Sequence, residues 1–261
     1  MLFHEVLDTI ERSEGEATIT VSAEWMQGRA MFGGLQTVLA LQAMRTLVPD
    51  VPVRTLQTTF IAPPAGNRVR ARANVLRQGK SATHVEARLL DAEDNVLAVV
   101  IGVFGHARQS AVRHMPVQPE VVCEKPRNFR FFPGISPTFT QYFAARWLKG
   151  GMPFSRIEEP SVVVELDMPD ERASTESHVI AMADFIPPVA LSFMTTPAPG
   201  SSMTWMLEFL TDKLDGLSMR GWRVDADMVA GADGYTHQSV MLWGPDAQPI
   251  ALSRQNMVVF G

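Results

Sequence analysis

The sequence predicts an α+β protein built as two tandem copies of one unit, each an antiparallel sheet carrying a single helix. Three observations predict it. The second half repeats the first: Arg68-Val69-Arg70-Ala71-Arg72-Ala73-Asn74-Val75 is echoed by Gly221-Trp222-Arg223-Val224-Asp225-Ala226-Asp227-Met228, and both His84/His237 and Ala98/Ala251 stand 153 residues apart. The repeated segments alternate apolar and polar residues, the period of a sheet with one buried face. Each half also holds one long apolar segment of helical character ahead of those strands. A sheet edge in each unit would be a liability, and pairing the two edges gives one continuous sheet.

In chain order, residues 18–22 (Thr-Ile-Thr-Val-Ser) read as a short strand. Residues 25–34 form a loop with three glycines. After Gly33-Gly34, the residues Leu35, Val38, Leu39, Leu41, Ala43, Met44 and Leu47 make a helix that is apolar on both sides and therefore buried, and Pro49 ends it. Strands follow at 54–60, 68–76, 81–90 and 96–104, with Asp91-Ala92-Glu93-Asp94-Asn95 as a hairpin loop. The first unit is placed at 1–107. Residues 108–157 intersperse Pro116, Pro119, Pro126, Pro133 and Pro137 with Phe129, Phe131, Phe132, Phe139 and Phe143, too aromatic for a flexible linker. They read as an ordered connector with one short helix near 140–148. The second unit, 158–261, repeats the pattern: a strand at 161–166, a helix at 177–193 broken or kinked by Pro187-Pro188, then strands at 203–210, 222–229, 236–243 and 250–260.

Bulk properties exclude several classes. Lys and Arg number 23 against 28 Asp and Glu, a net charge of −5 with no basic excess for nucleic acid. The single Cys123 rules out an intramolecular disulfide framework and suits a reducing, cytoplasmic compartment. No signal peptide is visible at the start, and no stretch is apolar enough to span a bilayer. No histidine pair has metal-ligand spacing, and no Gly-x-Ser-x-Gly elbow occurs. No metal and no cofactor are expected.

Two polar residues stand out. Asp184 lies in an otherwise apolar helix, Val179-Ile180-Ala181-Met182-Ala183-Asp184-Phe185-Ile186. A carboxylate there must be hydrogen-bonded or carry a raised pKa, unless it faces the polar side or caps the turn before Pro187. Gln255 stands in Ser253-Arg254-Gln255-Asn256, whereas its counterpart 153 residues earlier is Gly102 in an apolar strand. Gln255 either joins a polar centre or bonds a backbone group. Gly33-Gly34 either forms a turn or brings helix N-terminal N–H groups to an oxyanion or phosphate. His84 and His237 occupy matching strand positions and, with His178, read as structural or solvated.

This layout resembles the double hot-dog acyl-CoA thioesterases of the thioesterase II type over nearly the whole chain. The resemblance rests on Trp25, Phe32-Gly33-Gly34, Phe60-Ile61-Ala62-Pro63 and Val75-Leu76-Arg77-Gln78-Gly79-Lys80-Ser81 in the first half. In the second it rests on Ala183-Asp184-Phe185, Pro188, Met203-Thr204-Trp205 and Ala251-Leu252-Ser253-Arg254-Gln255. It implies a cleft between the two helices and the joined sheet in which acyl-CoA binds. It also implies a helix Asp, a strand Gln and a Thr or Ser that hold a water for attack on the thioester. The Asp matches Asp184, the Gln matches Gln255 and the hydroxyl falls closest to Thr204, although a strict count reaches Gly200. Gly33 and Gly34 are the substrate-binding candidates. A His found in some relatives is Gln57 here. The expected activity is hydrolysis of acyl-CoA to free acid and CoA; the alternative is a non-catalytic acyl-CoA binding or sensing protein on the same fold. An acyl-CoA is the expected partner, with no nucleic acid and no membrane, and a homo-oligomer is left open.

Overall fold

In the computed structural model, residues 1–64, 66–170 and 172–260 are described. The chain opens with α1 (Phe3–Asp8), β1 (Glu11–Ser13), β2 (Glu16–Thr20), the short hairpin β3 (Met26–Gln27) and β4 (Ala30–Met31), and the long helix α2 (Gly33–Leu47). A meander follows, comprising β5 (Val53–Phe60), β6 (Arg68–Gln78), β7 (Thr83–Leu90) and β8 (Val96–Phe104). The connector supplies β9 (Arg127–Asn128) and β10 (Ala144–Lys149). The second half holds β11 (Ser161–Asp167), α3 (Glu176–Ala183), β12 (Gly200–Phe209), β13 (Trp222–Ala232), β14 (Tyr235–Trp243) and β15 (Pro249–Val259).

Among the described residues, thirteen strands form one sheet in the order β1-β2-β6-β7-β8-β5-β12-β15-β14-β13-β11-β10-β9. The halves meet at β5 and β12, which pair antiparallel with Gln57 opposite Met206. Val85 pairs with Gly102, and Gln238 pairs with Gln255, so the 153-residue offset survives in the ladder. Even the irregularities repeat. The β6–β7 ladder shifts register between Val75 and Arg77, and the β13–β14 ladder shifts between Met228 and Ala230. The outer edges are only two or three residues long, which limits unwanted strand addition.

The helix α2 is buried along most of its length, as its two-sided apolar pattern requires, and packs on the sheet and against α3. Two helical expectations are corrected. Residues 140–148 do not form a helix: a 3₁₀ turn over Thr138–Tyr142 leads directly into β10, which pairs with β11. Ala145 and Trp147 are buried while Ala144 and Arg146 are exposed, the alternation of a strand. The expected helix at 177–193 stops at Ala183 and resumes only as a 3₁₀ turn over Val189–Phe193. Proline lacks the N–H a helix needs and disfavours helical geometry in the residue before it, so Pro187-Pro188 breaks the element outright.

The connector is held by aromatic packing. Phe139 stacks on Phe32 with ring centroids 4.0 Å apart, and Phe143 lies 4.9 Å from Phe185. Trp25, fully buried, stacks on Tyr142 and tilts against Phe3. Such pairs contribute about 0.5–1.5 kcal/mol each beyond the area they bury. They fix the N-terminus of α2 and the residue after Asp184 against one another, and this positions the site.

Candidate active site

Asp184 ends α3, with φ −98° and ψ 3°. The break at Pro187-Pro188 therefore leaves its carboxyl group at a helix end rather than along a helix face. Oδ1 accepts a hydrogen bond from Gln255 Nε2 at 2.6 Å. A Cβ built on Gly33, the first residue of α2, would lie 2.7 Å from Oδ2 and 3.2 Å from the Phe60 ring. The carboxylate thus reaches across from the second half to the helix start of the first, where the opening N–H groups are not used by the helix ladder. Gly34 permits this approach too, because a Cβ there would meet the Phe32 ring at 2.8 Å and Ala181 Cα at 3.1 Å.

Asp184 retains partial solvent access, yet burial dominates its protonation. Desolvation pushes its pKa up to about 7, opposed by the Gly34 backbone and then by the Gln255 amide, which both favour the charged form. Neither of these neighbours is titratable.

Gln255 is buried on β15 and continues a hydrogen-bonded chain. Its Oε1 accepts from Gln238 Nε2 at 3.1 Å, and Gln238 Oε1 accepts from the Val189 backbone N–H at 3.0 Å. Gln238 and Gln255 are direct partners across β14 and β15, so they share a face of the sheet. The first half has no such chain. The counterparts are Val85 and Gly102, and a Cβ on Gly102 would collide with Met44 Sδ at 2.7 Å. There α2 fills with a methionine the space that Gln255 occupies in the second half.

Thr204 is not brought to this pair. Its neighbour Trp205 is the cross-strand partner of Gln255, so Thr204 points through the opposite face, and it is exposed. A register shift before it pairs Ser202 with Met257, which lies on the Gln255 face. Gly33 and Gly34 are brought to Asp184. Among the described residues, no group of three or more His, Cys, Asp or Glu is placed to hold a metal ion. A groove of about 1000 Å³ between residues 118–122 and β10–β11 is lined by none of these site residues.

Residues 21–105 match the family model for the acyl-CoA thioesterase N-terminal domain, and residues 116–259 match that for the acyl-CoA thioesterase C-terminal domain. The chain belongs to the acyl-CoA thioesterase family. No curated protein matches it by sequence. Among solved structures it is similar to a hot-dog-fold protein of unknown function from Alicyclobacillus acidocaldarius (TM-score 0.86, 19% identity, 100% of this chain and 99% of that chain covered). It is also similar to a tesB protein from Mycobacterium avium subs paratuberculosis (0.78, 16%, 100% and 100%) and to an acyl-CoA thioesterase II from Mycobacterium marinum (0.72, 15%, 98% and 96%). The fold of this thioesterase-family chain is the double hot-dog.

Sequence reasoning missed Gln238 in this family member. The signal was available, because Gln238 and Gln255 both replace apolar or glycine counterparts at the same offset. A second buried polar group was also missed. Asp170 Oδ1 bonds His4 Nδ1 at 2.6 Å and Oδ2 bonds His178 Nε2 at 3.1 Å, tying α1 to the start of α3. His178 is buried and serves the structure, consistent with its expected role. No helix among the described residues is long and apolar enough to cross a membrane.

Proposed function

We propose that this protein hydrolyses an acyl-CoA thioester, with Asp184 as general base and Gln255 orienting it. The observation that carries this reading is the 2.6 Å Gln255–Asp184 hydrogen bond on a carboxyl group whose pKa is pushed up to about 7. A base is most effective when its pKa lies near the working pH. In the reaction, Asp184 takes a proton from water as the water oxygen bonds to the thioester carbonyl carbon. The tetrahedral adduct collapses, the carbon–sulfur bond breaks, and the departing thiolate recovers the proton from Asp184. A thiol with a pKa of about 8.5 needs no stronger acid than this to leave. The helix start at Gly33-Gly34 lies beside the carboxylate and offers backbone N–H groups for the oxyanion.

A non-catalytic acyl-CoA binder on the same fold is the second reading. It is favoured by one observation, that Thr204 stands on the opposite face from Gln255. Steady-state thiol release from acyl-CoAs of several chain lengths separates the two. Release that is lost in Asp184→Asn supports the hydrolase. Saturable binding with no release by the unaltered protein supports the binder.

A further inference from the structure

We propose that Gln238 is a positioning residue that fixes which end of the Gln255 amide faces Asp184. An amide's oxygen and nitrogen ends have nearly the same shape, so packing alone does not choose between them. Gln255 must present its NH2 to a carboxylate, because its oxygen there would replace a charge-assisted hydrogen bond with repulsion. The choice is made by a chain with one polarity. Its first member, the Val189 backbone N–H, can only donate, and it donates to Gln238 Oε1 at 3.0 Å. That leaves Gln238 Nε2 to donate to Gln255 Oε1 at 3.1 Å, which turns Gln255 Nε2 toward Asp184 Oδ1 at 2.6 Å.

Both glutamines are at most 4% exposed, so water does not compete for the intermediate links. The chain also uses the helix break. Val189 lies just past Pro187-Pro188, at the start of the 3₁₀ turn that follows the break. One interruption therefore exposes the Asp184 carboxyl group and supplies the N–H that orders its partner. This proposal rests on the reading of Asp184 as the base, but its test does not require that reading to hold.

Gln238→Met keeps the length of the side chain and removes both hydrogen-bonding ends. Gln238→Val places there the residue found at the equivalent first-half position, Val85, which is fully buried, and serves if the methionine variant does not fold. The Asp184 carboxyl carbon is titrated by NMR in protein carrying ¹³C-carboxyl aspartate, with Asp184→Asn assigning the signal. The groups facing Asp184 are Gly33 and Gly34 of α2, Phe60 of β5 and Gln255 of β15, none titratable. Losing an oriented donor should move the Asp184 pKa upward by roughly one unit. In steady-state thiol release, kcat should fall about tenfold near neutral pH with KM little changed, and recover part of the loss at higher pH. An unchanged Asp184 titration in a folded variant overturns the proposal. If Asp184→Asn keeps full thiol release, the base assignment fails while the titration still decides the role of Gln238.

Discussion

Gly33 and Asp184 approach so closely that a Cβ on the glycine would lie 2.7 Å from the carboxylate Oδ2. The two residues come from different halves of the chain, so their contact is where the duplicated units become one site. A methyl group at Gly33 must displace either the carboxylate or the Phe60 ring, which lies 3.2 Å from the same point. Gly33→Ala should therefore cost about 1–3 kcal/mol of stability through overpacking and lower thiol release by more than tenfold. Urea denaturation and a thiol-release assay on the same preparation check both. Wild-type stability and turnover in the variant would show that the contact is not tight.

The pH dependence follows from burial. With the Asp184 pKa pushed up to about 7, kcat/KM should rise with pH and level off above that value. Asp184→Asn should lower kcat at least a hundredfold. A profile flat from pH 5 to 8 would remove Asp184 from the rate-controlling ionisation.

The same shift carries a stability cost of the opposite sign to that of most paired carboxylates. Between the ordinary aspartate value of 3.8 and about 7, the folded state holds a proton that the unfolded state has shed. The stability contributed by this group is present below that window and is lost as pH rises through it. Asp184→Asn should be more stable than the parent at pH 8, by on the order of 2 kcal/mol, and nearly equal to it at pH 4. Thermal denaturation at the two pH values tests this, and equal Tm differences at both would contradict it.

Asp170 behaves in the other direction. Burial opposes its charge, but the Arg172 backbone N–H, the His178 ring and the His4 backbone N–H outweigh it and hold its pKa below the usual carboxylate range. His178 is itself pushed down, chiefly by burial. A lowered carboxyl pKa gives stability that is present above the unfolded value and lost as pH falls. A histidine held neutral adds to acid sensitivity below its ordinary pKa. Asp170→Ala should cost about 3 kcal/mol at pH 7, because it leaves two histidines without their shared acceptor, and should sharpen the loss of stability between pH 7 and 4, because Asp170 supports the charged form of His178 against burial. Denaturation between pH 4 and 7 reads both effects.

The sheet register separates two hydroxyls. Thr204 is exposed on the face away from Gln255, so Thr204→Val should change thiol release by less than about twofold. Ser202 pairs with Met257 on the Gln255 face, so Ser202→Ala should have the larger effect. The reverse order of effects would mean that the strand twists Thr204 into the site.

Local pattern carried most of the fold. The helix 33–47 was legible because fifteen residues with scarcely a charge can only be buried, and the strands because their apolar residues alternate. The error at 140–148 came from a six-residue strand, too short for its alternation to stand out beside neighbouring aromatics. The expected helix at 177–193 is overlong because the sequence leaves open whether two prolines break the element or kink it, and the apolar run continues past them. α1 was missed because six residues give no period to read, and its place depends on the Asp170–His4 contact made across the fold.

For the site, composition and the repeat offset singled out Asp184 and Gln255 as polar residues in apolar segments. Sequence alone determined which residues were chemically out of place and that they belong to one half only. Tertiary structure decided their partners. Thr204 directly precedes Trp205 along a strand, and a period of two sends neighbours to opposite faces. Gln238 lies 17 residues from Gln255, yet the antiparallel ladder makes them direct partners. The carboxylate's proximity to Gly33 depends on two helices packing backbone to backbone. Residue type fixes what a side chain can exchange, a proton or a hydrogen bond; only the closed sheet and its helices fix with whom.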